Sequence, residues 1–263
     1  MDWKKELYGY NEKPLERLVD GYSLTSTLRT IAFIGDSLSS GEFETVDKEG
    51  KRGYHDMYEH SWGQYIAREN GLLAYNFSKG GMTAKEYMES FAPSRGFFDA
   101  DKAAQAYVIA LGVNDLFNKK VPMGSLDDIC PEDFSKNKDT FLGYYAAIIS
   151  KYKEISPDAK FFLLTFPKED RGVERCEIAL KMREFLYSLT SYFSNCYVID
   201  LYEYGPVYDD EFRAQFYLHG HLSPSGYVLT AKLVDSYIDY LIRHNPADFK
   251  NSGFINSGIP YKF

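Results

Sequence analysis

"TIAFIGDSL", residues 30–38, is the stretch that decides the fold. Residues 31–34 are continuously apolar or small, without the alternation of a half-exposed strand, which is typical of a strand buried on both faces of a parallel sheet. Gly35, Asp36 and Ser37 then turn the chain and present a hydroxyl at the carboxyl end of that strand. A serine hydroxyl alone is a weak nucleophile, so its role depends on what the other strands carry at the same edge.

Strand and helix patterns alternate along the rest of the chain. The predicted strands are 30–34, 72–77, 106–112, 159–166 and 196–202, and the predicted helices are 61–71, 83–91, 132–155, 173–193 and 223–244. This alternation predicts an α/β protein, a three-layer α/β/α sandwich of flavodoxin-like type with about five parallel strands. We expect one domain over 1–263, with an N-terminal lead-in at 1–29 and a C-terminal tail at 245–263 packed on it.

Composition excludes several classes of protein. The 263 residues carry a net charge of −8 and no dense run of Lys or Arg, so a nucleic-acid partner is not expected. No apolar run approaches the ~20 residues of a membrane-spanning helix. The three cysteines form no CxxC pair, which argues against a disulfide framework and a thiolate metal site. With a polar amino terminus that lacks the pattern of a signal peptide, these features predict a cytoplasmic protein.

Polar and glycine residues follow the predicted strands, where ligands of an open parallel sheet bind. Ser37 follows the first strand, Gly80 and Gly81 the second and Asn114 the third, and His221 precedes the last helix. Acyl transfer requires a hydroxyl nucleophile, an imidazole to accept its proton, and donors for the developing oxyanion. The N–H groups of Ser37 and Gly81 and the Asn114 amide are the candidate donors, so these residues predict a site for acyl-transfer chemistry.

Four short blocks resemble the SGNH, or GDSL-type, hydrolase family of esterases and lipases. In family order they are "GDSL" at 35–38, "GGMT" at 80–83, "GVND" at 112–115 and "HLSPSGY" at 221–227. The general esterase pattern G-x-S-x-G is absent, because Ser39 occupies its last position, which argues against the α/β-hydrolase fold.

The resemblance implies a role for each matching residue. Ser37 would be the nucleophile and His221 the general base, with Gly81 and Asn114 completing the oxyanion hole. Gly80 is a substitute for Gly81 that fits the family pattern less well. Asp36 would orient the turn that carries the nucleophile, and Asp115 would support the Asn114 loop.

One position departs from the family. The usual block has an aspartate three residues before the histidine, and here that residue is Leu218. The missing acid would hold the imidazole tautomer and stabilise the imidazolium. Three explanations compete: the backbone carbonyl of Leu218 or a neighbour accepts the His221 ring N–H, a distant carboxylate reaches in, or the enzyme is weak or inactive. The distant carboxylates considered are Asp200, Glu203, Asp209 and Asp210.

The sequence leaves further alternatives open. His219 is a second candidate base, because in an extended segment it would face the same side as His221. The two histidines could also begin a metal site, but the sequence offers no convincing third ligand. Residues 42–60 are either a substrate loop or a solvated insertion. The expected substrate is a small-molecule ester, with an acylated carbohydrate as one candidate, and no cofactor is implied. An acyltransferase or thioesterase, or a catalytically silent binding module, is the alternative; the oligomeric state stays open.

Overall fold

Five parallel strands form the central sheet. The computed structural model describes residues 1–2 and 11–258, so parts of the predicted lead-in and tail, 3–10 and 259–263, lie outside the described residues. The strands of the sheet are β1 Thr30–Gly35, β4 Leu73–Ser78, β5 Ala106–Ala110, β6 Lys160–Leu164 and β7 Cys196–Ile199. They are ordered β4-β1-β5-β6-β7 and all pairs are parallel. This is the flavodoxin-like order, and it confirms the predicted α/β fold.

Helices cover both faces of the sheet. They are α1 Ser37–Ser40, α2 Trp62–Asn70, α3 Ala84–Glu86, α4 Ala92–Ser94, α5 Phe141–Ile155, α6 Val173–Tyr192, α7 Leu201–Tyr204, α8 Asp210–Phe216, α9 Pro224–His244 and α10 Pro246–Phe249, with a π-helical segment, Tyr87–Phe91, joining α3 to α4. One core packs Ala32 and Ile34 of β1 against α5 and α6. The other packs Ile31 and Phe33 against α2 and α9. Alternate residues of β1 thus enter two cores, which explains its uninterrupted apolar sequence.

One predicted helix is shorter than its sequence pattern. A helix was expected over 132–155, but α5 begins at Phe141, where the Thr140 hydroxyl accepts the Gly143 N–H at 3.1 Å. Upstream, the Asp133 carboxylate accepts from the backbone N–H of Ser135 and caps a separate single 3-10 turn, Phe134–Lys136, in place of the predicted α-helix. The amphipathic pattern alone did not show this competition.

Two antiparallel hairpins stand at the edge of the sheet where the strands end. The stretch 42–60, predicted as a loop, contains strands β2 Glu42–Val46 and β3 Arg52–Asp56, which pair with each other. The second hairpin pairs β8 Tyr217–Leu218 with β9 His221–Leu222 and runs into α9. Strand β2 contacts both β8 and β9, so the first hairpin lies against the segment that carries His221.

The described parts of the two end segments pack on the core. In the lead-in, the Ser23 hydroxyl donates to Asp235 of α9 at 2.9 Å, and the Ser23 N–H donates to Asn70 of α2 at 2.9 Å. In the tail, the carbonyl oxygen of Ile255 accepts from the Gln105 side chain at 2.8 Å. These buried hydrogen bonds attach residues at both ends to the helices and the sheet.

Candidate active site

Ser37 begins a one-turn helix at the carboxyl end of β1. Asp36 caps this helix, since its Oδ1 accepts the Leu38 N–H at 3.1 Å. The Ser37 side chain is half-buried, and within residues 11–258 its hydroxyl has no hydrogen-bond partner. Strands β1 and β5 flank the point where the strand order reverses, the usual ligand position in this fold. The structure therefore presents the Ser37 hydroxyl at the crevice of the sheet.

A glycine turn follows β4 beside this helix. The Met82 N–H donates to the Lys79 carbonyl at 3.2 Å, and Gly81 has φ +72°. That backbone conformation is costly for any residue with a Cβ, which explains the glycine. A Cβ placed on Gly81 would meet no atom within 4 Å. The turn thus leaves open space at Gly81, where the sequence predicts an oxyanion donor.

The Asn114 side chain connects the serine turn with the glycine turn. Its Nδ2 lies 3.3 Å from Asp36 Oδ2 and 3.2 Å from the Met82 carbonyl oxygen, and its Oδ1 accepts from Asn118 at 2.8 Å. Both amide N–H groups therefore have acceptors. For Asn114 to bind an oxyanion, one of these two long hydrogen bonds has to be exchanged for a bond to the substrate.

Two buried aspartates support these turns. The carboxylate of Asp115 accepts the Ala84 N–H at 3.0 Å, so it holds the start of α3 next to the glycine turn, and its second oxygen is buried without a partner. Burial raises the pKa of Asp36 and that of Asp115 to about 6, although backbone hydrogen bonds act in the opposite direction. Both carboxyl groups thus hold a proton more readily than an exposed aspartate.

His221 lies in β9 with a glutamate at its Nδ1 atom. Glu44 Oε2, from β2, is 3.1 Å from His221 Nδ1 and also accepts the Gly220 N–H at 2.9 Å. The other carboxylate oxygen pairs with Arg52 at 2.7 Å. Burial alone would raise the pKa of Glu44, but these hydrogen bonds and the Arg52 charge hold it below the ordinary value of 4.5. Glu44 therefore stays ionised against the ring.

This arrangement corrects the expectations about the missing acid. The first explanation named the backbone carbonyl of Leu218 or a neighbour, but the Nδ1 atom faces the Glu44 carboxylate instead. A distant carboxylate does reach in, yet it is none of the four that were named. Asp200, for example, binds Arg183 at 2.7 Å and Tyr187 at 2.9 Å.

The placement of His219 and Leu218 also differs from an extended segment. His219 occupies the turn of the β8–β9 hairpin with φ +56°, so it does not continue the strand beside His221 as expected. Leu218 pairs with His221 across this hairpin and is 39% exposed. The acid position of the family is thus filled by a partly exposed leucine.

A second carboxylate lies at the other ring nitrogen. Glu42 Oε1 is 3.1 Å from His221 Nε2. Its other oxygen lies against Gly80, because a Cβ built on that glycine would overlap it. Burial raises the pKa of Glu42 above 4.5, with Asp56 and Glu44 adding to the rise and His221 opposing it. The imidazole is therefore held between two glutamates of the same strand.

Sequence reasoning missed both glutamates, although a signal was present. In "EFETV", residues 42–46, Glu42 and Glu44 are two positions apart, which places them on one face if the segment is a strand. The buried Phe43 between them points to the opposite face. This alternation predicts a strand with an acidic face immediately after the serine turn.

One space adjoins the serine turn and a second adjoins the glycine turn. At the serine turn, a largely apolar cavity of about 110 Å³ is bounded by Leu38, Val113, Phe117 and Phe166. At the glycine turn, an open groove of about 390 Å³ runs along Lys79, Gly80 and Gly81 toward Glu86, Ser90 and Ser94. The two turns of the candidate site thus border one apolar space and one polar space.

Two kinds of feature are absent from residues 1–2 and 11–258. No group of three or more His, Cys, Asp or Glu side chains there is arranged to hold a metal ion. None of the helices in that part of the chain is long and apolar enough to cross a membrane.

Comparison with known proteins identifies the family. The sequence profile of the GDSL-like Lipase/Acylhydrolase family matches residues 33–229. Because the match spans most of the chain, the protein belongs to this family and is a carboxylic ester hydrolase. Among curated proteins, none matches the chain by sequence.

Solved structures of esterases share the fold. A family two carbohydrate esterase from Clostridium thermocellum, solved with cellohexaose, is 18% identical over 90% of this chain and 66% of its own, with a TM-score of 0.55. A carbohydrate acetylesterase from Sinorhizobium meliloti is 13% identical over 81% of this chain and 99% of its own, also with a TM-score of 0.55. At such identities the likeness establishes the fold.

Proposed function

We propose that this protein is a serine esterase in which Ser37 is the nucleophile, His221 the general base and Glu44 the acid that orients the base. The observation that carries the proposal is the 3.1 Å contact between Glu44 Oε2 and His221 Nδ1. An ionised acceptor at Nδ1 fixes the ring proton there and leaves the Nε2 lone pair to accept a proton. The acid that the family pattern has at this position, and that this chain replaces with Leu218, is thus supplied from strand β2.

In the proposed reaction, the Ser37 oxygen forms a bond to the ester carbonyl carbon as its proton passes to His221 Nε2. The negative charge that develops on the carbonyl oxygen is stabilised by the N–H groups of Ser37 and Gly81 and by the Asn114 amide. The intermediate then expels the alcohol, which takes the proton from His221, and an acyl-enzyme remains. Water, deprotonated by His221, releases the acid and restores Ser37.

The spaces at the serine turn and at the glycine turn support a small acyl ester with a polar alcohol part. The apolar cavity next to Leu38 is the candidate site for the acyl group. The groove along Gly80 and Gly81 is lined by Lys79, Glu86 and two serines, which can exchange hydrogen bonds with a polyhydroxylated alcohol. The carbohydrate esterases of the same fold make an acylated carbohydrate the first such substrate to test.

The test of the nucleophile is Ser37→Ala. We expect this variant to lose p-nitrophenyl acetate hydrolysis and labelling by a fluorophosphonate probe, while it melts at the wild-type temperature. Ser191→Ala, which changes an exposed serine of α6, is the control and should keep both. Unchanged turnover in Ser37→Ala would rule out Ser37 as the nucleophile. If the wild-type protein takes no label, a silent binding module is favoured instead.

A further inference from the structure

Glu42 lies at the ring nitrogen of His221 that the proposed nucleophile needs. Its Oε1 is 3.1 Å from His221 Nε2, the atom that must accept the Ser37 proton in the proposed function. Its second oxygen lies against Gly80, so the carboxylate extends from the imidazole to the glycine turn. The Glu42 side chain is only 16% exposed. The carboxylate thus connects the proposed base with the turn that carries Gly81, one of the proposed oxyanion donors.

The contact between Nε2 and Glu42 requires a proton. If Nδ1 donates its proton to Glu44, the neutral imidazole presents a lone pair at Nε2, which repels an ionised carboxylate. The 3.1 Å approach is favourable only when a second proton is present, either on Nε2, with both glutamates ionised, or on Glu42 itself. In both cases Nε2 is unable to accept a proton from Ser37.

We propose that Glu42 is a positioning residue that competes with the Ser37 hydroxyl for His221 Nε2 and so sets the pH at which the base becomes available. The inference rests on the proposed function of Ser37 and His221. When the shared proton is lost, the lone pair and the carboxylate repel each other and Glu42 moves away. Nε2 then faces the Ser37 hydroxyl, and the ester can enter beside Gly80.

Several charged or titratable groups surround this contact and belong to the same balance. From β2 and β3, Glu44 and Asp56 add negative charge that disfavours a second ionised carboxylate, while Arg52 offsets part of the Glu44 charge. Asp36, which caps α1, also interacts electrostatically with His221. Because most of these charges are negative, they favour retention of the shared proton.

Two aromatic side chains also face the contact. From α9, the Tyr227 hydroxyl donates to the Glu42 carbonyl at 2.7 Å. This hydrogen bond keeps the backbone of β2 in place when the Glu42 side chain moves. From β3, the Tyr54 ring lies edge-on to the imidazole, with 5.7 Å between ring centroids. Neither side chain occupies Nε2, so Glu42 remains the group that exchanges with Ser37.

The sign of the resulting pH dependence follows from the proton count. The Nε2–Glu42 contact exists at low pH and is lost as pH rises, so it lowers kcat/KM on the acid side of the profile. An opposite charge within about 4–6 Å favours the protonated form of a base by about one pH unit or more. Removal of the Glu42 carboxylate should therefore move the acid limb of kcat/KM to lower pH.

The test compares Glu42→Ala and Glu42→Gln with the wild type. We expect both variants to move the midpoint of the acid limb about one pH unit toward acid, which makes kcat/KM at the acid end about tenfold higher. Hydrolysis of p-nitrophenyl acetate is followed at a wavelength where p-nitrophenol and its anion absorb equally. Glu49→Ala, an exposed glutamate of the same hairpin, is the matched control and should keep the wild-type profile.

Each outcome decides the inference. A midpoint that moves toward acid in the Glu42 variants and stays in Glu49→Ala supports it. A midpoint that stays, or that moves to higher pH, in folded Glu42 variants overturns it. Ser37→Ala separates this result from the proposed function: if Ser37→Ala is inactive and the Glu42 variants keep the wild-type profile, only the role of Glu42 is wrong. If Ser37→Ala remains active, the proposed function itself fails.

Discussion

Glu44→Gln tests the relocated acid with little change of shape. The Glu44 Oε2 atom accepts from His221 Nδ1 at 3.1 Å and from the Gly220 N–H at 2.9 Å, and an amide oxygen in the same place can accept both. The amide NH₂ then faces Arg52, whose side chain is 62% exposed and can turn to solvent. The substitution therefore keeps the ring orientation and removes the negative charge that stabilises the imidazolium.

The size of the effect follows from the distance. At 3.1 Å and an effective dielectric constant of about 20, the attraction between the carboxylate and the imidazolium is about 5 kcal/mol. This is an upper value, because Arg52 and solvent offset part of the charge and the amide keeps its hydrogen bond. Each 1.36 kcal/mol is about tenfold in rate, so we expect kcat/KM to fall by about 10²- to 10⁴-fold.

The assay is kcat/KM for p-nitrophenyl acetate across pH, with Glu49→Gln of the same hairpin as the matched control. The loss should fall mainly on kcat, since Glu44 acts through the base and not through ester binding. Thermal melting checks that the variant is folded. If a folded Glu44→Gln keeps kcat/KM within a few-fold of the wild type, the Glu44 carboxylate does not stabilise the catalytic imidazolium and the reasoning is wrong.

Two further predictions concern Asn114 and Asp115. Asn114→Ala removes the proposed side-chain donor to the oxyanion and should lower kcat by about 10²- to 10³-fold. The control is Asn118→Ala, which removes only the hydrogen bond to Asn114 Oδ1 and should lower kcat far less. Similar kcat values in the two variants would contradict the oxyanion role of Asn114. Burial raises the pKa of Asp115 from 3.8 in the unfolded chain to about 6 in the folded protein. The free energy of unfolding should therefore fall by about 3 kcal/mol through this group as the pH rises from about 4 to above 6. In urea unfolding, Asp115→Asn should reduce the difference in unfolding free energy between pH 4 and pH 7 by this amount. If the variant shows the same difference as the wild type, the prediction is wrong.

The fold could be predicted because the central strands of the sheet are buried on both faces. Residues 31–34 and 106–109 have almost no exposed surface, and a parallel sheet covered by helices on both sides gives strands that environment. Helix ends were visible where a side chain caps them, as at Ser223 before α9. The start of α5 was not, because the turn around Asp133 depends on hydrogen bonds that a periodic pattern does not show.

The predicted site residues come from strand ends, and the missed ones come from a hairpin. Ser37, Gly81 and Asn114 follow β1, β4 and β5, so a sheet with parallel strands brings them to one edge regardless of loop detail. Glu42 and Glu44 reach His221 only because β2 pairs with β3 and lies against β9. That packing depends on contacts between segments far apart in sequence, which no local pattern reveals.

The location of the acid has a structural consequence for the whole site. Ser37 and Glu44 belong to one short segment, α1 followed by β2, whereas His221 precedes α9. Tyr227 of α9 is fully buried, and its hydroxyl donates to the Glu42 carbonyl at 2.7 Å and lies 3.4 Å from the Ser37 carbonyl. One tyrosine of the helix that follows His221 therefore contacts both the Ser37 turn and the strand that carries Glu44. Because this contact holds β2 beside His221, the proposed acid does not have to be near the histidine in sequence, and a leucine at 218 is compatible with the proposed Ser-His-Glu site.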